Sequence, residues 1–216
     1  MTRQRLLRLG SQILAVGAAL IFASQVVGAF LPTDPTTMAV TAAGVPFLVF
    51  ALLKLVGFVL LMLGLVGLYA RQSAAAGLLG FVGFLTAFAG TAFVMGDWWF
   101  EAFVVPWLAR VSPALVVTPA DGTLLLGGVL SFTAFTLGWV LFGAATFRAR
   151  VFPRWVAALL IAGALLAYGQ GRPPLGALLA IAVGVMGVVA LRLDRTEKVA
   201  GNARATAQVA AHRSAG

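Results

Sequence analysis

The sequence predicts an all-α integral membrane bundle of six transmembrane helices, with an interfacial helix after the third. Three observations carry this reading. The chain divides into six long apolar runs, most of them close to the roughly 20 residues needed to cross a bilayer. Arginine gathers in alternate turns between those runs, the pattern that orients spans with their basic loops in the cytoplasm. Charge is also too sparse for a water-facing surface: 10% of the residues are charged, 62% are hydrophobic and the mean hydropathy is +1.04.

The apolar runs cover residues 9–31, 45–69, 74–95, 124–147, 155–168 and 175–193. Unpaired backbone N–H and C=O groups are not tolerated in hydrocarbon, so each run is expected to be helical. Residues 1–8 are basic and precede the first run, as in a signal peptide. The run is about twice as long as a typical signal core and lacks a small-x-small cleavage site, so it reads as an uncleaved span. A proline and threonine turn follows at 32–37. Arg71, Gln72 and Ser73 read as a tight hairpin making the second and third spans antiparallel neighbours.

The stretch from Gly96 to Trp107 places Asp97 and Glu101 on one helical face with aromatic residues on the rest, and Trp98, Trp99 and Trp107 suit the headgroup belt. It is therefore expected to form an interfacial helix or a short re-entrant segment. Pro113, Pro119, Asp121 and Gly122 mark a loop into the fourth span. Pro153 stands near the first turn of a short fifth span, where its missing N–H does no harm. Residues 169–174 form a stiff outer turn. The transmembrane domain thus covers 1–193, and 194–216 is a polar, alanine-rich cytoplasmic tail expected to be disordered. Small residues at four-residue spacing mark packing faces: Gly176, Ala180 and Gly184, Ser24 and Gly28, Ala134 and Gly138.

Fifteen bases against six acids give a net charge of +9, but the bases sit where helices leave the membrane rather than on one amphipathic element. Nucleic acid is therefore not an expected partner. With the amino terminus inside, Arg3, Arg5, Arg8, Arg71, Arg148, Arg150, Arg154, Arg192, Arg195, Lys198, Arg204 and Arg213 all fall on the cytoplasmic side. Only Arg110 and Arg172 fall outside, with Asp34, Asp97, Glu101 and Asp121. Both termini are expected in the cytoplasm.

Lys54 most demands explanation, because an ammonium near the bilayer centre costs roughly 2.5–3.5 kcal/mol on insertion scales. It shares a helical face with Gly57 and Gly64 and should point into the bundle. Counted from a hairpin at Arg71–Ser73, it stands level with Gly90 and Thr91, with Asp97 roughly 10 Å higher. Lys54, Asp97 and Glu101 are accordingly the candidate intramembrane polar site, and Trp98, Trp99 and Trp107 the candidate interfacial aromatic cluster. The competing reading has Lys54 snorkelling to the outer interface with both acids solvated in a loop.

Catalytic readings find little support. Without cysteine there is no thiolate nucleophile or thiolate metal site, and the one histidine, His212, lies in the tail. No Walker loop or HExxH motif is present, and Ser131 with Lys54 is a poorly supported dyad. No cofactor or metal is expected. The preferred expectation is a non-catalytic membrane protein that packs against membrane lipids, a second copy or another membrane protein. The alternative is a small transporter, channel or sensor built on Lys54, Asp97 and Glu101.

Gly67-Leu68-Tyr69-Ala70-Arg71-Gln72 and Phe152-Pro153-Arg154-Trp155 followed by Leu159-Leu160 resemble the inner turns of small six-helix bacterial membrane proteins classed as a domain of unknown function. The resemblance implies the bacterial cytoplasmic membrane and supplies no site residues.

Overall fold

Apolar periodicity becomes helix almost everywhere in the computed structural model, which describes residues 3–168 and 175–214, with side chains over 5–168 and 175–196. The described elements are all helical: α1 (Arg3–Ala29), α2 (Met38–Ala42), α3 (Val45–Phe103), α4 (Val105–Val111), α5 (Pro113–Val117), α6 (Gly122–Ala149), α7 (Arg154–Leu166) and α8 (Ala177–Ser214). Among the described residues four helical stretches are long and apolar enough to cross a membrane: Arg5–Ala29, Val45–Val111, Gly122–Ala149 and Ala177–Thr196. This is compatible with a membrane protein. Outward-facing leucines such as Leu125, Leu126 and Leu130 on α6 are exposed, an arrangement suited to lipid contact.

The 59-residue α3 is not one rod. Gly77 breaks it with φ 57° and ψ −154°, a conformation open essentially to glycine alone, and the chain turns back there. Ring contacts trace the two arms, residues 45–76 and 78–103, lying antiparallel. Tyr69 stacks on Phe84 with centroids 4.4 Å apart, and further along Phe50 meets Trp98 edge-on at 5.5 Å. The turn thus falls at Gly77 and not at Arg71, Gln72 and Ser73. Those residues stay helical, with Arg71 paired to Asp194 of α8 and Gln72 Nε2 donating to Thr146 Oγ1 at 3.0 Å, while Gln72 Oε1 is buried without a partner.

The helices pack as a closed ring in chain order. α1 lies on the first arm, where Gly10 meets Gly67, Gly17 meets Leu60 and Leu61, and Gly57 meets Ile21. The second arm lies on α6 through Gly83, Gly90 and Gly138; a Cβ on Gly138 would stand 2.2 Å from the Ala87 nitrogen. Gly143 against Ile161 joins α6 to α7, Gly163 against Leu179 joins α7 to α8, and Gly187 against Ala15 returns α8 to α1. Small residues at these seams let backbones approach closely, which is how helices associate without a hydrophobic drive between them. Of the small faces read from the sequence, Gly138 makes the tightest contact, and Gly184 meets Ala18.

Fully buried aromatic side chains fill the centre of the ring. Phe58 of the first arm meets Phe135 of α6 at 5.7 Å, and Trp139 and Phe142 continue the stack. The Trp139 indole N–H donates to Thr91 Oγ1 at 3.0 Å, so the one polar atom of that ring is satisfied.

Two segments depart from expectation. The residues after Asp194, where weak apolar periodicity suggests a mobile tail, continue α8 as helix to Ser214, and the alanines there are the strongest helix formers. The stretch from Asp97 to Phe103 is the end of the second arm rather than a separate interfacial helix, and the short α4 and α5 follow it. The turn expected at 169–174 lies outside the described residues.

Candidate functional site

Phe47, Phe50, Ala51, Lys54, Gly57, Phe58 and Leu61 are buried at intervals of three and four, so they form the inward stripe of the first arm. Lys54 belongs to this stripe by position, although its chemistry does not. Its side chain is 0% exposed, so it does not reach an interface by snorkelling. The ammonium instead lies over two rings, with Nζ 3.9 Å from the Trp98 ring centroid and 4.7 Å from that of Phe50. Because those rings meet each other at 90°, they form two walls of a box around the charge.

Glu101 supplies the counter-charge. Its carboxylate interacts electrostatically with the Lys54 ammonium and also with the carboxylate of Asp97, one turn before it on the same arm. The position of Gly77 explains the pairing. Had the chain turned at Arg71–Ser73, Lys54 would lie level with Gly90 and Thr91; turning at Gly77, it lies beneath Trp98, within reach of Glu101. A cation–π contact contributes about 0.5–2 kcal/mol, more when desolvated. Two rings and a carboxylate together therefore offset a cost of roughly 2.5–3.5 kcal/mol for an ammonium deep in a membrane helix.

Asp97 has Ser131 of α6 as its polar neighbour. Its Oδ2 is buried and has no hydrogen-bond partner in the protein. Gln25 of α1 is also buried with both amide atoms unsatisfied. It lies one turn beyond the Ile21–Gly57 contact, in the direction that leads to Lys54, so the two share a height in the bundle. The Trp98 indole N–H, at the same level, is buried without a partner as well. The unsatisfied atoms of Gln25, Asp97 and Trp98 thus share one layer around Lys54, while others lie on Gln72, Thr136 and Asp194. Buried polar groups are normally paired, and exceptions call for a reason.

The layer opens at the end of the bundle carrying α2, α4 and α5. A cleft of about 450 Å³ lies there between Met38 and Ala42 of α2, Phe47 and Glu101 of the two arms, Leu108, Leu115 and Leu124. Glu101 therefore faces Lys54 from within the wall of the cleft. Asp121, at the start of α6, is the other charged residue lining it. Its volume suits a small ligand.

The three predicted site residues meet as one cluster, with Glu101 as the link. The aromatic cluster divides instead. Trp98 is buried in the box, while Trp99 and Trp107 are 55% and 59% exposed. Phe50 was not singled out in the sequence, although its position four residues before Lys54 puts both on one face. Gln72 with Thr146 and Arg71 with Asp194 join distant segments, and no local spacing reveals such pairs. Among the described residues no three His, Cys, Asp or Glu side chains gather to hold a metal ion. No protein-family model, curated protein or solved structure matches the chain.

Proposed function

We propose that the chain is a six-span, non-catalytic protein of a bacterial cytoplasmic membrane that receives a small ligand at the polar layer around Lys54. The spans are α1, the two arms of α3, α6, α7 and α8, with both termini cytoplasmic. The single observation that carries the functional reading is Lys54, boxed by Phe50 and Trp98 and countered by a Glu101 that also lines an open cleft.

Charge supports the orientation. Arg5, Arg8, Arg71, Arg148, Arg150, Arg154, Arg192 and Arg195 belong to the end of the bundle where Gly77 turns, and Asp34, Asp97, Glu101 and Asp121 to the other, where Arg110 is the one arginine among the described residues and Lys54 is held inside the bundle by Glu101. The second end is therefore the outer face, where α4 and α5 lie along the interface with Trp107 and Val111 outward. α7, with 13 helical residues, is about 20 Å long and needs local thinning of the bilayer or flanking residues to complete its crossing. The loose resemblance to six-helix bacterial membrane proteins agrees with this assignment.

Receiving a ligand is favoured over conducting ions, because Phe58, Phe135, Trp139 and Phe142 close the centre of the ring. Two measurements test the reading. Reporter fusions at both termini should give cytoplasmic signals, and a fusion after Thr118 an external one. Proteoliposomes should leak potassium no faster than protein-free vesicles. Termini on opposite faces, or ion flux abolished by Lys54→Leu, would replace the proposal with another topology or with a channel.

A further inference from the structure

The charge on the cleft is one-sided. Of its lining residues only Glu101, half-buried, and Asp121, exposed, carry charge, and both are acidic; the walls are otherwise mainly apolar, with Phe47, Leu108, Leu115 and Leu124 among them. Behind the wall, Asp97 adds a third carboxylate whose Oδ2 is buried without a partner, against the single base Lys54. Carboxylates therefore outnumber ammonium groups around this cavity. A carboxylate offers about four lone-pair sites over its two oxygens, so Glu101 can accept from a ligand while it faces Lys54.

We propose that the cleft binds a single-chain amphiphilic cation, its ammonium head paired with Glu101 and its chain laid along Phe47, Leu108, Leu115 and Leu124. The proposal rests on the reading of this end as the ligand-receiving one. Charge complementarity selects the occupant. A zwitterionic phospholipid would set its phosphate against Glu101 and Asp121 with no base lining the cleft to hold it, and a fatty acid would meet the same repulsion. A neutral alcohol would fill the apolar walls but leave Asp121 and the excess of carboxylates over Lys54 uncompensated.

The test is isothermal titration of the full chain in lipid nanodiscs, with empty nanodiscs as the partition blank, using octylammonium, octanol, octanoate and octylphosphocholine. Octylammonium should bind saturably above the blank, and the other three should not. Glu101→Gln should weaken that binding roughly tenfold or more, the scale of a lost hydrogen bond to a charged group. Leu124→Trp, which fills the cleft without adding or removing a charge, should abolish it, and this variant decides the matter even if Glu101→Gln fails to fold. Binding of octanol or octylphosphocholine as tight as that of octylammonium would overturn the proposal. So would octylammonium heats no larger than the blank, or binding unchanged in Leu124→Trp. If binding fails while the topology and flux results stand, only the ligand class falls.

Discussion

Removing a ring from beneath the Lys54 ammonium tests how that charge is held. Trp98→Leu should lower stability by about 0.5–2 kcal/mol more than Trp98→Phe, because only leucine abolishes the π face at this distance. Trp99→Leu, a neighbour on the exposed side, should stay within about 0.5 kcal/mol of the parent protein. Thermal unfolding in a nonionic detergent measures all three, and equal losses at Trp98 and Trp99 would deny the box. A second residue-scale prediction concerns Asp34, whose Oδ1 accepts hydrogen bonds from the backbone N–H and the hydroxyl of Thr36, both at 2.8 Å. The backbone bond is the main cause that holds this carboxyl below its usual range. A group whose folded pKa is depressed stabilises the fold above its unfolded pKa, and that contribution fades as pH falls through the folded value. Carbon-13 titration of the Asp34 carboxyl should therefore show a midpoint below that of an exposed aspartate, and a midpoint above it would contradict the assigned hydrogen bonds. The candidate site was partly legible at this scale, since a lone lysine among apolar residues and two acids one turn apart stand out. That Glu101 and not Asp97 faces Lys54 was not legible, because it depends on where the chain turns.

At the scale of elements, the turn itself is the decisive feature. A polar trio at Arg71, Gln72 and Ser73 looks like a hairpin, whereas Gly77 sits in an alanine-rich run that looks like helix. Tertiary partners reverse this impression: Asp194 pairs with Arg71, Thr146 accepts from the Gln72 amide, and glycine alone takes the backbone conformation of the turn. Gly77→Ala should cost about 1–3 kcal/mol through backbone strain, since an added Cβ would meet nothing within 4 Å. Gly96→Ala, helical and equally open, should be neutral or stabilising by up to about 1 kcal/mol. Similar effects at the two positions would mean that the chain does not turn at Gly77. Gly138→Ala acts through space instead, because its Cβ would overlap the Ala87 backbone and force α6 off the second arm. It should cost more than either.

For the whole molecule, the apolar runs and arginine spacing made the helical class and the expectation of membrane crossing legible, because both follow from local composition. The order of the ring and the depth of the cleft were not, because they arise from seams between segments far apart in the chain. Those seams enclose the polar layer around Lys54, and the functional reading depends on Lys54 and Glu101 acting there as a unit. A double-mutant cycle on unfolding in detergent, with Lys54→Leu, Glu101→Leu and the double variant, tests that dependence most directly. Glu101→Leu strands the buried Lys54 ammonium and should cost roughly 3–5 kcal/mol, Lys54→Leu leaves Glu101 half-buried at the cleft wall and should cost less, and the double variant should cost less than the two combined. Additive losses would mean that the two side chains act independently, and would contradict the account.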